Sequence, residues 1–505
     1  MPQPQSTQER ENSAIEDILE GRSEDDKVLL KHAFTFAKES LGEKLRNSGQ
    51  TFLEHNLETA RTLAEWKMST PTVLGGLLHS SVDSGANKSA DIKREFGPEI
   101  LRLAQGTRAL TSLRYKGKEQ YLEDLRRFFI ALAGDIRIIL ITFAHRLDSM
   151  RKIAYKPTAE QTRVALETIE VYAPLANRLG MGKLKAEFET LAFPYAYPKE
   201  YALTRKLLDS REKHARERLQ KIYRSLRADF AASPPAGGLP IVESDYRLKN
   251  IYSLYKKLLR HDMDITKIHD LIALRLVTDT VENCYRALGI IHGKYKPVAG
   301  KVKDYIANPK PNGYRSIHTT IYTGDPAKGA DLPRRGPGKA GGGTAEVQIR
   351  TKEMHAEAEY GVAAHVAYDE GNKSRSGGRW AASLAWVREL VELACKAKNV
   401  NEFAEAVKLD YFKNQIFVFT PDGDVVELPE ESTPIDFAYR VHSGLGDHAH
   451  AAKVNGKYAA LSTKLHGGET VFIETKKDAH PTAKWLDFAK STQARKKIRA
   501  YLSKR

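Results

Sequence analysis

The spacing of apolar residues predicts that the first part of the chain is built from helices alone. Between residues 27 and 201 apolar positions recur three or four residues apart, as they do on one face of a helix. One such stripe contains Leu57, Ala60, Leu63 and Ala64. Further helices are predicted near residues 71–80, 90–105, 119–133 and 134–153. We therefore expect an all-α domain over residues 26–201, preceded by a disordered polar tail over residues 1–25.

A second pattern begins after residues 230–238, where Ala, Ser, Pro and Gly cannot continue a helix. Strand-length apolar runs lie near residues 240–244, 271–277, 317–323 and 345–350. Helical patterns lie between and after them, near residues 247–260, 280–294 and 352–368. This alternation predicts an α+β domain with a mixed sheet over residues 239–370, joined to the first domain by a helical connector and linker over residues 202–238. A Gly/Pro-rich insertion at residues 324–344 predicts a mobile loop.

A third pattern predicts a small β domain over residues 411–477. Two alternating strands surround a Pro-Asp-Gly-Asp turn, which predicts a hairpin over residues 414–429. A helical connector is expected before this domain, over residues 371–410, and the start of a helical region after it, over residues 478–505.

The composition narrows the class of protein. No uncharged apolar run approaches the roughly 18 residues that span a bilayer, so we expect no membrane partner. Cys284 and Cys395 lie far apart and lack the spacing of metal ligands, which fits a reducing, cytoplasmic location. The formal net charge of +16 favours nucleotides or RNA as partners, although excess lysine can also simply coat a surface.

The densest candidate chemistry lies in a lysine-rich loop and a strand that follows it. Lys301, Lys303 and Lys310 surround an Asn-Gly turn, and Tyr314 offers a face on which a base can stack. Over residues 345–350 the polar residues alternate with apolar ones and so share one face of a strand. Among them is a carboxylate, Glu346.

A second carboxylate, Asp270, stands at the mouth of an upstream apolar run. Two carboxylates on neighbouring strands beside a lysine-rich loop suit Mg²⁺, which binds through one or two protein oxygens and substrate phosphates. Taken singly, Asp270 and Glu346 also fit solvated surface positions, and the residues alone leave both interpretations open.

Several ordered segments resemble the RelA/SpoT-type (p)ppGpp synthetase/hydrolase family. They are Tyr246–Ser253, the residues around Asp270, Lys303–Ile306, Asn312–His318 and Glu346–Thr351. The similarity covers about residues 30–500. It implies an HD-type hydrolase domain, a nucleotidyltransferase-like synthetase domain and a TGS domain of the β-grasp type. It also implies the activity of a GTP pyrophosphokinase of the stringent response, which moves pyrophosphate from ATP to the 3′-oxygen of GTP or GDP.

The resemblance implies a role for each matched residue. Asp270 and Glu346 would hold Mg²⁺, Glu346 would also act as the base, and Gln348 would support it. The residues for ATP would be Arg247, on the adenine, with Lys249, Ser253 and Lys257 on the phosphates. Those for GTP or GDP would be Tyr314, on the guanine, with Lys301, Lys303, Lys310, Asn312 and His318. The family often has arginine at position 301, and lysine lacks its bidentate fork.

The hydrolase half departs from the family at its metal ligands. The family holds a divalent metal through a histidine, a His-Asp pair and a later aspartate. The matching positions here are His55, His79, Ser80 and His145, and the acidic pair that follows reads Asp83-Ser84. We therefore expect no Mn²⁺ in this domain and no hydrolase activity. The basic motif at residues 301–304 matches members with both activities, but hydrolysis cannot proceed without its metal.

Two interpretations of these histidines stay open. They are either packed, hydrogen-bonded helix residues in a scaffold or regulatory domain, or a three-histidine site for a softer ion such as zinc.

In long family members the TGS domain contacts the acceptor end of uncharged tRNA on the ribosome. The expected Gly-His pair reads Gly446-Asp447-His448 here, so this contact requires His448 to substitute. Residues 483–505 resemble the first helices of the family's next domain, and the zinc-binding and ACT-type modules are missing from this sequence.

The expected partners are ATP and GTP or GDP, with tRNA or the ribosome through the TGS domain, and not DNA. Two alternative functions remain: a nucleotidyltransferase with another acceptor, and a tRNA- or ribosome-associated regulator that only senses nucleotide. The joint presence of Asp270, Glu346, Gln348 and Tyr314 argues against a pure sensor.

Overall fold

The computed structural model describes residues 7–85, 88–111, 135–233, 238–265, 268, 272–310, 312–323, 344–364, 366, 415–422, 424–466 and 468–503. These residues belong to two compact units, one within residues 7–366 and the other within residues 415–503. The predicted helix at 119–133, the loop at 324–343 and the connector at 371–410 fall outside the described residues. Within the described ranges, no helix is long and apolar enough to cross a membrane.

The first half of the larger unit is helical, as predicted. Its helices are α1 (Thr7–Leu19), α2 (Glu24–Leu41), α3 (Phe52–Glu65), α4 (Thr70–Leu78), α5 (Lys88–Phe96), α6 (Pro98–Thr111), α7 (Ile136–Arg151), α8 (Thr158–Glu167), α9 (Ala173–Arg178), α10 (Gly182–Ala196) and α11 (Pro198–Ala232). Helix α3 begins at a capping box, in which the Thr51 hydroxyl and the Glu54 carboxylate each accept the other residue's backbone N–H at 3.0 Å. Helix α3 packs against α4 and α7 around Leu57, Leu74 and Phe143, which are fully buried.

Two predictions for this half are wrong. The tail predicted to be disordered over residues 1–25 contains helix α1, because its apolar residues Ala14 and Ile18 are buried in the helical core. The single helix predicted at 90–105 is two helices, α5 and α6. The chain breaks between them at Gly97, whose φ of 91° is left-handed, and Pro98 begins the next helix.

The second half of the larger unit contains the predicted mixed sheet. Its strands are β1 (Ile241–Leu248), β2 (Ile272–Thr278), β3 (Lys303–Asp304), β4 (Ile317–Tyr322) and β5 (Thr344–Thr351). The strand order is β1-β2-β5-β4-β3, with β2 and β5 parallel and the other pairs antiparallel. Its helices are α12 (Ile251–Leu259), α13 (Val281–Lys294) and α14 (Lys352–Tyr360). Helix α11, which is 35 residues long, packs on β1, β2, α12 and α13.

Two details of the sheet differ from the sequence prediction. The helix predicted at 247–260 begins only at Ile251, because the two residues at 247–248 extend β1 and pair with β2. Strand β3 has only two residues, too few to show an alternating pattern, and was not predicted.

The smaller unit contains the predicted hairpin, β6 (Gln415–Phe419) and β7 (Val425–Pro429), and a sheet of order β10-β8-β9. The remaining elements are α15 (Pro434–Val441), α16 (Ser443–Asp447), β8 (Ala449–Val454), β9 (Lys457–Ala459), β10 (Val471–Thr475), α17 (Trp485–Phe488) and α18 (Thr492–Leu502). Helices α17 and α18 do not start a separate region as expected. Trp485 and Ile498 join the same core as Val418 and Tyr439, so residues 478–503 complete this unit.

Candidate functional site

The candidate site lies on one face of the five-stranded sheet, at the centre of β5. Along β5 the side chains of Glu346 and Gln348 are partly exposed, and those of Val347 and Ile349 between them are fully buried. The predicted alternation is therefore confirmed. Arg350 is fully buried because Glu359 and His355 of α14 bind its guanidinium.

Strand register brings distant sequence segments into one row. Gln348 lies opposite Arg275 of β2 and opposite His318 of β4, and His318 lies opposite Lys303 of β3. Paired residues on adjacent strands place their side chains on the same face of a sheet. The lysine-rich loop and strand β5, which carries Glu346, are therefore neighbours through β3 and β4.

A second set of paired residues across the sheet contains Glu346. It pairs with Ala273 of β2, which in turn pairs with Arg247 of β1. Arg247 therefore shares a register position with the candidate base, although its side chain is outside the described part of the chain. Asp270 is outside the described residues as well, so the predicted two-carboxylate metal site stays a prediction.

A chain of hydrogen bonds holds the Glu346 carboxylate. Its Oε1 atom accepts from Gln348 Nε2 at 3.0 Å and from His318 Nδ1 at 3.0 Å. His318 Nε2 accepts the Tyr314 hydroxyl at 2.8 Å. With these partners, Nδ1 carries the proton and Nε2 carries the lone pair, which is one of the two neutral tautomers of the imidazole. Burial lowers the pKa of His318 despite the nearby carboxylate, which fits that neutral form.

Gln348 carries an acceptor without a donor. Its Oε1 atom is buried, and no group in the described part of the chain donates a hydrogen bond to it. A buried polar atom without a partner costs roughly 1–3 kcal/mol, so a ligand hydroxyl at this position would be favoured.

Lys310 is packed against the aromatic residues of the loop. Its Nζ lies 4.6 Å from the centroid of the Tyr305 ring and 4.9 Å from that of Tyr314. Burial, together with the charges of Lys303 and Lys185, lowers the pKa of Lys310 to about 8. The Tyr314 ring, which the sequence analysis assigned to guanine, is therefore already in contact with the Lys310 side chain.

The other predicted residues of the acceptor site differ in their surroundings. Lys301 and Lys303 are exposed at the start of the loop. Asn312 holds the turn itself: its Oδ1 accepts the N–H of Tyr314 at 3.3 Å, and its Nδ2 donates to the carbonyl of Asn177 at 3.2 Å. Gly313 has a φ of 77°, which requires glycine at this turn.

On the predicted ATP side, Ser253 contacts a residue that the sequence analysis missed. Its hydroxyl donates to the carboxylate of Glu189 on α10 at 3.1 Å, and Lys256 donates to the same carboxylate at 3.2 Å. Glu189 is only 2% exposed. Lys249 and Lys257 lie just before and in the last turn of α12, and both are partly exposed. In the sequence, the one available signal for this contact was a glutamate among the apolar residues of α10.

The helical half brings three of its histidines together. His55 on α3, His79 at the end of α4 and His145 on α7 have ring centroids 4.5–5.4 Å apart. One ring nitrogen from each lies within 4.8 Å of the others. Burial lowers the pKa of His79 to about 4 and also lowers the pKa values of His55 and His145. All three are therefore neutral imidazoles at pH 7.

Three other positions where the family has carboxylates, those of Ser80, Asp83 and Ser84, do not contribute to this cluster. Ser80 donates its hydroxyl to Asn56 Oδ1 at 2.7 Å, and Ser84 donates to the carbonyl of Ser81 at 2.7 Å. The Asp83 carboxylate binds Arg108 in an exposed ion pair. The donor set is thus nitrogen alone, which does not suit Mn²⁺.

Three family models match the chain in the order of its domains. A model described as an HD domain matches residues 33–182, one described as a region found in RelA / SpoT proteins matches residues 246–373, and one described as a TGS domain matches residues 416–475. Together with the fold described above, they define a protein that joins a helical HD domain, a mixed-sheet region found in RelA / SpoT proteins and a TGS domain.

Curated relatives match most of the chain. The GTP pyrophosphokinase of Myxococcus xanthus is 38% identical over 94% of this chain and 60% of its own length. The bifunctional (p)ppGpp synthase/hydrolase SpoT of Escherichia coli K12 is 37% identical over 95% of this chain and 65% of its own. The chain therefore spans about three fifths of the length of these relatives. Over most of its length the chain is similar to RelA/SpoT proteins, and its residues 246–373 match a region found in them.

Among solved structures, the small alarmone synthetase 2 from Bacillus subtilis matches with 25% identity. The match covers 39% of this chain and 92% of that one, with a TM-score of 0.23.

Proposed function

We propose that the sheet face around Glu346 transfers pyrophosphate from ATP to the 3′-hydroxyl of GTP or GDP, which makes the chain a (p)ppGpp synthetase. The observation that carries the proposal is the hydrogen-bonded row Tyr314–His318–Glu346–Gln348. It fixes one carboxylate near a half-buried lysine, Lys310, which lies against the rings of Tyr305 and Tyr314. The names of relatives at 37–38% identity, GTP pyrophosphokinase among them, support the same reaction.

In this reaction the ribose 3′-oxygen attacks the β-phosphorus of ATP. The new O–P bond forms as the bond to the bridging oxygen of AMP breaks, and AMP leaves. Glu346 takes the proton of the 3′-hydroxyl. The two donors on its Oε1 hold the carboxylate in place, and the unfilled acceptor of Gln348 suits a ribose hydroxyl.

Lysines supply the positive charge for the acceptor's phosphates. With a pKa near 8, Lys310 is mostly charged at pH 7, and a bound phosphate would stabilise that charge. Exposed Lys301 and Lys303 would extend the positive surface toward solvent.

Mg²⁺ fits the chemistry of this donor set. The carboxylates of Glu346 and Asp270 would hold it, since Mg²⁺ prefers oxygen ligands and substrate phosphates. When bound, it supplies neutralisation of the charge that develops on the ATP phosphates.

We also infer that the helical half does not hydrolyse the 3′-pyrophosphate. A hydrolytic metal needs firm ligands and a group that positions water. Ser80, Asp83 and Ser84 have other partners or face solvent, and His145 offers an imidazole where the family has a carboxylate. Relatives named as pyrophosphohydrolases provide the comparison for this inference.

For the smaller unit we propose at most a weak contact with tRNA. Asp447 accepts the hydroxyl of buried Tyr439 at 2.9 Å, so the pair at 446–447 is fixed to the core. A carboxylate there repels an RNA backbone. His448 donates Nδ1–H to the carbonyl of Ala479 at 3.1 Å, which turns this ring toward its own chain.

The direct test is product analysis with ATP labelled in its β-phosphate, Mg²⁺, and GDP, GTP or ATP as the acceptor. We expect label on the guanine nucleotide together with release of AMP. Transfer to another acceptor alone would indicate a different nucleotidyltransferase. Tight nucleotide binding without transfer, including in the presence of ribosomes, would indicate a sensor.

A further inference from the structure

In the histidine cluster, two ring nitrogens have lone pairs that receive no strong hydrogen bond. His55 Nδ1 hydrogen-bonds the Asp148 carboxylate, so that nitrogen carries the proton and Nε2 carries the lone pair. His55 Nε2 is buried and, among the described residues, has no hydrogen-bond partner. A buried nitrogen lone pair next to two further imidazoles is an arrangement that suits a metal cation.

His79 shows the same polarity. Its Nδ1 lies 2.7 Å from the carbonyl of Gly76, which can only accept, so Nδ1 carries the proton and Nε2 the lone pair. In the part of the chain that the structure describes, the one hydrogen-bond contact of Nε2 is with the Ser80 hydroxyl at 3.2 Å. That hydroxyl has a single proton, and its closer partner is Asn56 Oδ1 at 2.7 Å. The lone pair of His79 Nε2 is thus also open to a metal.

The groups behind the two rings are those that orient histidine ligands in metal sites. A carboxylate on one ring and a backbone carbonyl on the other fix the tautomers and raise the basicity of the opposite nitrogens. Arg46 lies 3.5 Å from the Asp148 carboxylate, so the negative charge is balanced behind the cluster and not within it. The three imidazoles therefore face one another without a competing carboxylate.

We propose that His55, His79 and His145 form a binding site for one borderline transition-metal ion of the zinc type, in place of a carboxylate-rich manganese site. Imidazole nitrogen suits zinc, whereas Mn²⁺ prefers carboxylate and water oxygens. The described ranges contain no other group of three His, Cys, Asp or Glu residues with ligand atoms this close together. In a tetrahedral zinc site with Zn–N bonds of about 2.1 Å the nitrogens lie about 3.4 Å apart, so the rings need only a small inward movement.

Such a site would tie α3, α4 and α7 together at the centre of the helical half. His55 and His79 are each only 1% exposed, so the site is closed to large substrates. Binding, and not turnover, is therefore the property to measure. The result is independent of the synthetase proposal, because no residue of the sheet face takes part.

The experiment uses the full chain, stripped with a chelator and dialysed, and then titrated calorimetrically with Zn²⁺ and with Mn²⁺. We expect one equivalent of Zn²⁺ to bind, with at least 100-fold preference over Mn²⁺, and to raise the Tm by several degrees. Loading with Co²⁺ should give the visible absorption of a four-coordinate site in which three of the ligands are imidazole nitrogens.

Three variants make the test specific. His145→Asn removes the imidazole ligand but keeps a polar side chain, and it should weaken Zn²⁺ affinity at least 10-fold. His32→Ala, an exposed histidine of the same half, is the matched control and should leave affinity unchanged. His145→Asp introduces an oxygen ligand and should narrow the preference for Zn²⁺ over Mn²⁺ at least 10-fold.

Folding of each metal-free variant is checked by circular dichroism, so that loss of affinity is separated from unfolding. If His145→Asn misfolds, the proposal is tested by the preference of His145→Asp for Zn²⁺ over Mn²⁺. Absence of a one-to-one Zn²⁺ site, equal affinities for the two ions, or an equal effect of His32→Ala and His145→Asn would overturn the proposal.

Discussion

The two halves of the larger unit treat their ionisable side chains in opposite ways. In the helical half, burial leaves three histidines neutral and facing one another, with the nearest carboxylate behind a ring. In the synthetase half, Glu346 keeps two donors on its carboxylate and lies near a lysine. Charged groups thus lie where we propose pyrophosphate transfer, and neutral imidazoles lie in the half where Ser80, Ser84 and His145 stand at positions of the family's carboxylates.

The largest expected effect comes from the Glu346 carboxylate. Glu346→Gln keeps the shape but removes the negative charge and the basicity, so kcat should fall by at least about 1,000-fold while nucleotide binding persists. Steady-state kinetics and equilibrium binding measure the two quantities. Glu353→Gln, an exposed position on α14, is the matched control and should behave as wild type. Near-full activity of Glu346→Gln would remove the assignment of the base.

Tyr314 separates the two nucleotide pockets. Tyr314→Ala should raise KM for GDP more than KM for ATP, since a base–aromatic stack is worth about 1–3 kcal/mol, or roughly 5–150-fold. Tyr314→Phe should retain most of that affinity, because it removes only the hydroxyl donated to His318. Tyr155→Ala, which removes an exposed aromatic ring, serves as the control. A rise confined to the KM for ATP would mean that the pockets are exchanged.

The lowered pKa of Lys310 predicts a dependence on pH. The side chain is charged below about pH 8 and loses its proton above it, so kcat/KM for GDP should decline by about tenfold between pH 7 and pH 9. In Lys310→Met the value should be low at pH 7 and nearly flat across this range. Lys352→Met, at an exposed position, should keep the wild-type profile. An unchanged decline in Lys310→Met would show that another group titrates.

Glu189 should have the smallest effect, through Ser253 and Lys256. Glu189→Gln keeps an acceptor for the serine hydroxyl but loses the charge that pairs with Lys256, so KM for ATP should rise about two- to fivefold with little change in kcat. Glu187→Gln on the same helix breaks only a surface pair with Arg151 and is the control. Equal kinetics of the two variants would leave Glu189 with a packing role alone.

Residue patterns predicted the elements of the site better than their assembly. Alternation over residues 345–350 was enough to place Glu346 and Gln348 on one face, because Val347 and Ile349 must be buried. The row through His318 and Lys303 depends on strand register, and the two residues of β3 contain too little pattern to predict it.

Contacts between the helical half and the sheet were beyond prediction from local pattern. Glu189 lies 64 residues before Ser253, and nothing in the spacing of α10 shows which element covers that glutamate. Helix α1 was missed for a related reason: its few apolar residues become a helix face only when the rest of the core receives them.

The most direct test of the contrast between the two halves follows one reaction mixture until its ATP is used up and beyond that point. Full-length protein is incubated with limiting ATP, excess GDP and Mg²⁺ until the 3′-pyrophosphorylated guanine nucleotide reaches a plateau, and Mn²⁺ is then added. We predict that the product forms and that its amount stays constant after Mn²⁺ addition. Failure to form the product would contradict the function assigned to the sheet face, and release of pyrophosphate after Mn²⁺ addition would contradict the account of the helical half.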